Sequence, residues 1–395
     1  PKTDPGKVVL FNRDGRYLSQ FTVGALPDML TFSPKGDFIL VANEGEPNDD
    51  WSVDPEGSVS ILPIWQGARN LPQANITTVT FHSFEKGGKC EADLDPRARI
   101  FGPTAGLDNP RRVSQNLEPE YITFAPDGRT AYVTLQEANA VAVLDMRYQE
   151  FTKIIALGEK NHSLPGNGFD ASDRDNAINI ANWPVYGFYM PDAIASFRVR
   201  GQTYLITANE GHARDYPVFS EEVRVGSGSY RLDPTVFPNA ASLKQNANLG
   251  RLTVTNQNGD TDGDGDFDKI YAFGARSFTI WNDKAEVVWD SGDQLEQITA
   301  ATYPAFFNSE GSGSAFDSRS DNKGPEPEAV AVGTINGRVY AFVGLERIGG
   351  VMFFDVTVPS APRFIQYTNN ADFSKGSGER APEIFPFFPA NLSGN

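Results

Sequence analysis

Residues 191–215, PDAIASFRVRGQTYLITANEGHARD, decide the reading of the whole chain. An acid after a proline opens a short apolar strand at 194–199. Arg200-Gly201-Gln202 supplies a turn, and a second strand at 203–208 runs into Asn209-Glu210-Gly211. Strands joined by so tight a turn are antiparallel, so the start of the first and the end of the second lie side by side. Asp192 and Glu210, 18 positions apart, are thereby expected to meet.

The same unit recurs. Pro27-Asp28 opens a copy that Glu44 closes, Pro119-Glu120 opens one that Glu137 closes, and Pro327-Glu328 opens one that Glu346 closes. The acids lie 16, 17, 18 and 18 positions apart in the four copies, so turn length varies while the ends stay aligned. Ala381-Pro382-Glu383 resembles the start of a fifth. A repeated β-unit implies a stacked or radial array, and 395 residues suit a propeller of about seven blades at about 40–50 residues each. The expectation is an all-β chain, one β-propeller domain over residues 1–395, with long inter-blade loops. The 37 glycines and 27 prolines fit many short strands, and no long helical periodicity is present.

In chain order, strands are expected at 8–11 and 17–23, then the first hairpin, then 57–62 completing a four-strand set. Residues 82–116 form a long loop, the second hairpin gains a third strand at 140–145, and the Gly/Asn/Asp/Pro-rich stretch 157–190 is a second excursion. Such loops often carry the site.

A net charge of −17 argues against nucleic acid or an anionic membrane as partner and makes cations the natural counterpart. The single cysteine, Cys90, excludes an internal disulfide. No run of 18 apolar residues is present to span a membrane. Three Asn-x-Ser/Thr sequons begin at Asn75, Asn161 and Asn391 and would mark a glycoprotein in a eukaryotic source.

The strongest ligand signal lies at residues 260–268, where Asp260, Asp262, Asp264, Asp266 and Asp268 alternate with small residues around Gly265. Alternating carboxylates in a turn can wrap one hard cation, and Ca2+ is the expected ion. The twelfth position is Tyr271 instead of a bidentate Glu, so a ligand must come from elsewhere. The paired acids Asp28, Glu44, Glu120, Glu137, Asp192, Glu210, Glu328 and Glu346 are further metal candidates, expected together on one rim near the ring axis. A turn-forming acid that accepts backbone N–H bonds gives the same local pattern. Arg214 and Arg347 could balance such a rim or hold an anion.

Catalytic signals are weaker. The three histidines, His82, His162 and His212, show no zinc spacing, and no nucleophile elbow joins a strand to a helix. Glu210, His212, Arg214, Glu346 and Arg347 are the only catalytic candidates.

With VANEGEP (41–47), LEPEYI (117–122), TANEGHARDY (207–216), DTDGDGDFD (260–268), FGARSFTIW (273–281), KGPEPEAVAVG (323–333) and GLERIGG (344–350) laid out, the chain resembles the choice-of-anchor I family of cell-surface glycoproteins and alkaline-phosphatase-like proteins. The resemblance implies a seven-bladed propeller, secretion and calcium dependence. It also implies strands before Pro1 and closing strands where this chain has IFPFFPANLSGN. Two functions follow: a secreted calcium-binding matrix or surface component that binds calcium, glycans or its own copies, or a calcium-dependent phosphomonoesterase.

Overall fold

A computed structural model describes residues 1–65, 67, 69, 71–103, 112–311, 315–373, 382–384, 386 and 387. Ala381 of the fifth repeat start and the sequon at Asn391 lie outside them. The chain divides into two compact units. The first comprises Pro1–Leu157, Ala193–Arg198 and Tyr216–Phe219, and the second Gly158–Asp192, Val199–Asp215 and Ser220–Asn395.

The first unit holds two four-stranded antiparallel meanders, Pro27–Phe32, Phe38–Asn43, Ser58–Pro63 and Thr77–Thr80, then Pro119–Phe124, Thr130–Leu135, Ala140–Asp145 and Glu150–Ala156. Inner strands such as Phe38–Asn43 (FILVAN) and Thr130–Leu135 (TAYVTL) are buried along nearly their whole length, as apolar and β-branched runs covered on both faces must be. Leu40, Ala42, Val59, Ile61, Val133, Leu135, Leu144 and Phe151 contribute to one core across both meanders. Pro5–Phe11 and Tyr17–Ala25 pair only with each other, so the set begun by the first hairpin takes its fourth strand from Thr77–Thr80.

The second unit carries the meander Pro327–Ile335, Arg338–Leu345, Val351–Asp355 and Arg363–Thr368. Its five-stranded sheet is built from two short strands of the 157–190 excursion and three from residues 222–272, and includes the parallel pair of Val185–Phe188 with Ile270–Ala272. In this unit the strand Gln202–Ala208 pairs with Phe278–Asn282 only after a long insertion. A helix at Gln294–Thr302 falls where no helical periodicity is legible: over nine residues it buries only Leu295, Glu296 and Thr299.

The hairpins share two devices. Positive φ at both Arg200 and Gly201 (50° and 88°), and at Asn336 and Gly337 (51° and 78°), gives the turn twist that matches the strands. At the other end, the register slips between Pro27 and Leu30, between Pro119 and Ile122, and between Pro327 and Val330. Proline has no N–H for the ladder, so a bulge forms there and falls on Asp28, Glu120 and Glu328.

Candidate functional site

The bulged acids meet the acids that end the second strands. Pro27 pairs with Asn43 and Pro327 with Leu345, which sets Asp28 beside Glu44 and Glu328 beside Glu346. In the first unit the two hairpins converge as well, for carboxylate oxygens of Asp28, Glu44 and Glu120 lie within 4.8 Å of one another. Burial, then the charges of Asp28, Glu46, Glu137 and Glu118, push the Glu44 carboxyl up to about 10 from its ordinary 4.5. Glu46 itself accepts from Lys2 Nζ (2.8 Å) and the Tyr216 hydroxyl (2.9 Å).

A buried asparagine fixes the end of this strand. Asn43, fully buried, donates through Nδ2 to Ser58 O (3.3 Å) and Ser60 Oγ (3.1 Å). Asn209 repeats this in the second unit, donating to Ser277 Oγ (3.3 Å) and Thr279 Oγ1 (2.8 Å). The glycine two residues on has φ of 77° at Gly45 and 89° at Gly211, and a Cβ at either would stand 2.6 or 2.2 Å from backbone atoms. The Ala-Asn-Glu-Gly motif is therefore an anchored acid on a turn that only glycine fits.

The second unit gathers Glu210, Glu326 and Glu346, again within 4.8 Å. Here cations are built in. Lys323 Nζ bonds Glu210 and lies 3.0 Å from Glu326, Arg319 Nε donates to Glu326 Oε1 (2.7 Å), and Arg347 bonds Glu326 (3.0 Å) and Glu346 (3.0 Å). Burial opposes the charge on Glu326, yet Lys323, Arg319 and Arg347 outweigh it and hold the carboxyl down at about 2. Glu346, buried and facing Glu210 and Glu326, is pushed up to about 7, and Glu328, for burial and the Glu210 and Glu346 charges, to about 8. Arg347 thus pairs with carboxylates of this cluster. Lys323 and Arg319 were not singled out in the sequence; Lys323 lies within KGPEPEAVAVG, 113 positions from the Glu210 it pairs with.

The remaining candidates are placed as follows. Arg214 is buried, and its backbone N–H donates to Glu221 Oε1 (3.0 Å). His212 lines a cavity of about 300 Å³ with Ala213, Asp215, Glu222, Phe273, Asn322 and Lys323. Glu137 acts on Glu44 through its charge but is outside the close cluster, and Asp192 is in none of the carboxylate clusters among the described residues. His162 is fully buried, and burial with the nearby Lys160 charge lowers its pKa well below the ordinary range. His82 Nε2 stands 2.5 Å from Glu56.

The 260–268 loop folds back on itself. Asp260 accepts from the Gly263 N–H (2.7 Å) and the Gly265 N–H (3.0 Å), and Asp268 accepts from Thr261 N–H and hydroxyl (2.7 and 2.6 Å). Two carboxylate triads share Asp268: Asp260 and Asp262 complete one, Asp233 and Asp266 the other. Asp264 is in neither. Asp233 had no signal beyond its Asp-Pro pair; a parallel bridge between Leu232 and Phe267, and the Asp233 N–H donated to Phe267 O (3.1 Å), bring it in. Oδ1 of Asp266 is buried without a hydrogen-bond partner, and desolvation with the Asp264 and Asp233 charges raises its pKa. An all-oxygen set with an orphaned acceptor fits a hard cation. Among the described residues no helix is long and apolar enough to cross a membrane.

A model of the choice-of-anchor I domain matches residues 1–359. The mesenchyme-specific cell surface glycoprotein of Strongylocentrotus purpuratus is 29% identical over 320 residues, 71% of this chain and 40% of that protein. Gigasin-3a of Magallana gigas is 41% identical over 119 residues, 29% of this chain and 42% of that protein. The chain thus spans about two fifths of the length of each of these curated relatives. Among solved structures, a Bacteroides uniformis protein named for 6-phosphogluconolactonase covers 99% of this chain and 70% of its own at 12% identity and a TM-score of 0.41. A periplasmic gluconolactonase of Pseudomonas aeruginosa covers 92% and 78% at 13% identity and a TM-score of 0.33. Likeness at that level carries neither fold nor chemistry across.

Proposed function

Because the chain belongs to the choice-of-anchor I family, we propose that it is an extracellular, surface-located binding module of propeller architecture that works with calcium held at residues 260–268. The observation that carries the reading is the pair of carboxylate triads sharing Asp268, with the orphaned Asp266 Oδ1 between Asp233 and Asp268. Asp260, Asp262 and Asp268, with Asp233 and Asp266, would hold the ion, whose charge removes the mutual repulsion of the loop. The Asp28, Glu44 and Glu120 cluster is a second cation-holding position in this reading. There a metal has to displace the proton that Glu44 keeps through the neutral range.

The name of the sea-urchin relative supports the surface location. Four four-stranded sheets with a repeated bulged hairpin support the propeller of about seven blades expected from the repeats. Glycans or further copies of the chain are the binding partners this reading expects. Among the described residues no arrangement favours the phosphomonoesterase: Arg214 is buried, and Lys323 is committed to Glu210, Glu326 and the Gly211 carbonyl. The test is thermal unfolding of metal-free protein with calcium or chelator. A ligand at 100 times its Kd stabilises by about 2.7 kcal/mol, and Asp262→Asn with Asp266→Asn should remove most of that gain without lowering stability in chelator. An unchanged calcium response in the double variant would reject the loop as the site.

A further inference from the structure

We propose that Asp170, Asp175 and Asp317 bind one hard divalent cation, which staples the 166–182 loop to the segment 315–322. The inference is separate from the 260–268 loop and uses none of its residues.

Carboxylate oxygens of the three aspartates lie within 4.8 Å of one another, with Asp170 fully buried, Asp317 2% exposed and Asp175 half-buried. Backbone N–H groups aim two of them: Ser172 and Asn179 donate to Asp170 (3.2 and 2.6 Å), and Ala177 donates to Asp175 (3.1 Å). A carboxylate oxygen has two lone pairs, so these bonds leave acceptor capacity unused. The second, independent observation is Asp317 itself. Its Oδ1 accepts from the Ser320 hydroxyl (2.5 Å), while its Oδ2 is buried among the other carboxylates with no hydrogen-bond partner. The same hydrogen-bond chain contains a further orphan. Asn308, 1% exposed, donates through Nδ2 to Ser320 Oγ (2.9 Å) and leaves its own Oδ1 without a partner.

No side-chain cation answers this charge. Arg276 gives its donors to Glu296 Oε1 (2.7 Å) and to the carbonyls of Asp170 (2.7 Å), Ser320 (2.7 Å) and Asn322 (2.8 Å), so it neutralises Glu296. Among the described residues none of the three aspartates is in an ion pair. A buried, unpaired carboxylate is costly, and three together need either protons or a metal. Burial first, then the neighbouring acids, pushes Asp317 up to about 8; burial, opposed by the Asn179 N–H, takes Asp170 to about 7. Oxygen-only donors exclude soft ions and favour calcium, magnesium or manganese.

Trp183 provides the probe, since its Nε1 donates to Phe169 O (3.1 Å), next to Asp170. Terbium is titrated into the full chain carrying Asp262→Asn, Asp266→Asn and Glu44→Gln, which disable the 260–268 loop and the Asp28, Glu44 and Glu120 cluster, with Trp-selective excitation, and then displaced by calcium, magnesium or manganese. We expect sensitised emission that one equivalent saturates, weakened about tenfold or more by Asp317→Asn. Emission absent in that background, or unaffected by Asp317→Asn, overturns the site. Thermal unfolding distinguishes metal from proton: if Asp317→Asn stabilises the chain but leaves its response to the divalent ion intact, the cluster is only protonated and the proposal fails. Should Asp317→Asn not fold by circular dichroism, Asp175→Asn, at the half-buried edge, is read in the same way.

Discussion

Glu44 and Glu346 hold the same place in two copies of one hairpin, and their surroundings differ in sign. Burial comes first in raising Glu44, which is followed by Gly45 and Glu46, and the carboxylate charges of Asp28, Glu46, Glu137 and Glu118 add to it, so it is pushed up to about 10. Glu346 is followed by Arg347 and shares Glu326 with Lys323 and Arg319, so it rises only to about 7 while Glu326 falls to about 2. A repeat can therefore keep its geometry and invert its electrostatics through a few residues beside the strand end. The first unit keeps an acid cluster whose carboxylates raise the pKa of Glu44. The second has a closed ion-pair network.

The largest effect expected from this difference is on stability. Glu326→Gln leaves Lys323, Arg319 and Arg347 facing a neutral group and should cost about 3–5 kcal/mol in urea unfolding at neutral pH. Glu44→Gln should cost nothing there, and equal losses would break the comparison. The shared part of the two hairpins comes next: Asn43→Ala and Asn209→Ala should each cost about 2 kcal/mol, because each strips partners from buried hydroxyls. Unequal losses would show that only the acids, and not their anchors, are comparable.

The pH dependence sharpens the contrast. Glu44 has a raised folded pKa, so the stability it contributes is complete below 4.5 and is lost as pH rises towards 10. Glu326 has a lowered one, so its contribution is complete above 4.5 and is lost as pH falls towards 2. Glu44→Gln should flatten the alkaline limb by about 4 kcal/mol between about pH 6 and pH 9, roughly 1.4 kcal/mol per pH unit, leaving the acid limb to Glu326. An alkaline limb unchanged in the variant would separate Glu44 from the cluster. The smallest effect is that of Arg347→Ala. It should move Glu346 up from about 7 by roughly one unit in a carboxyl NMR titration, at a stability cost under about 1 kcal/mol because Arg347 is partly exposed. No shift would mean that Lys323 alone sets Glu346.

The hairpins, the meeting of Asp28 with Glu44 and of Glu328 with Glu346, and the acid-rich loop were legible because each depends on local rules: alternation, turn residues and antiparallel register. The acid-rich loop was legible as a cluster but not in membership, since Asp233 joins it through a bridge formed by a distant segment and Asp264 is in neither triad. Lys323 was missed because an ion pair across 113 residues has no periodicity, and Arg319 because its partner Glu326, seven positions on, is reached through irregular backbone that no periodicity marks.

By itself the sequence determined that the chain is all-β and that four hairpins carry acids at one end. These follow from side-chain period and from proline's missing N–H, which act within a few residues. Tertiary structure alone decided which acids keep a proton, which are neutralised, and that Asp170, Asp175 and Asp317 lie together. The reason is that burial and Coulomb interaction depend on distance in space, and the chain brings residues 170 and 317 together only by folding.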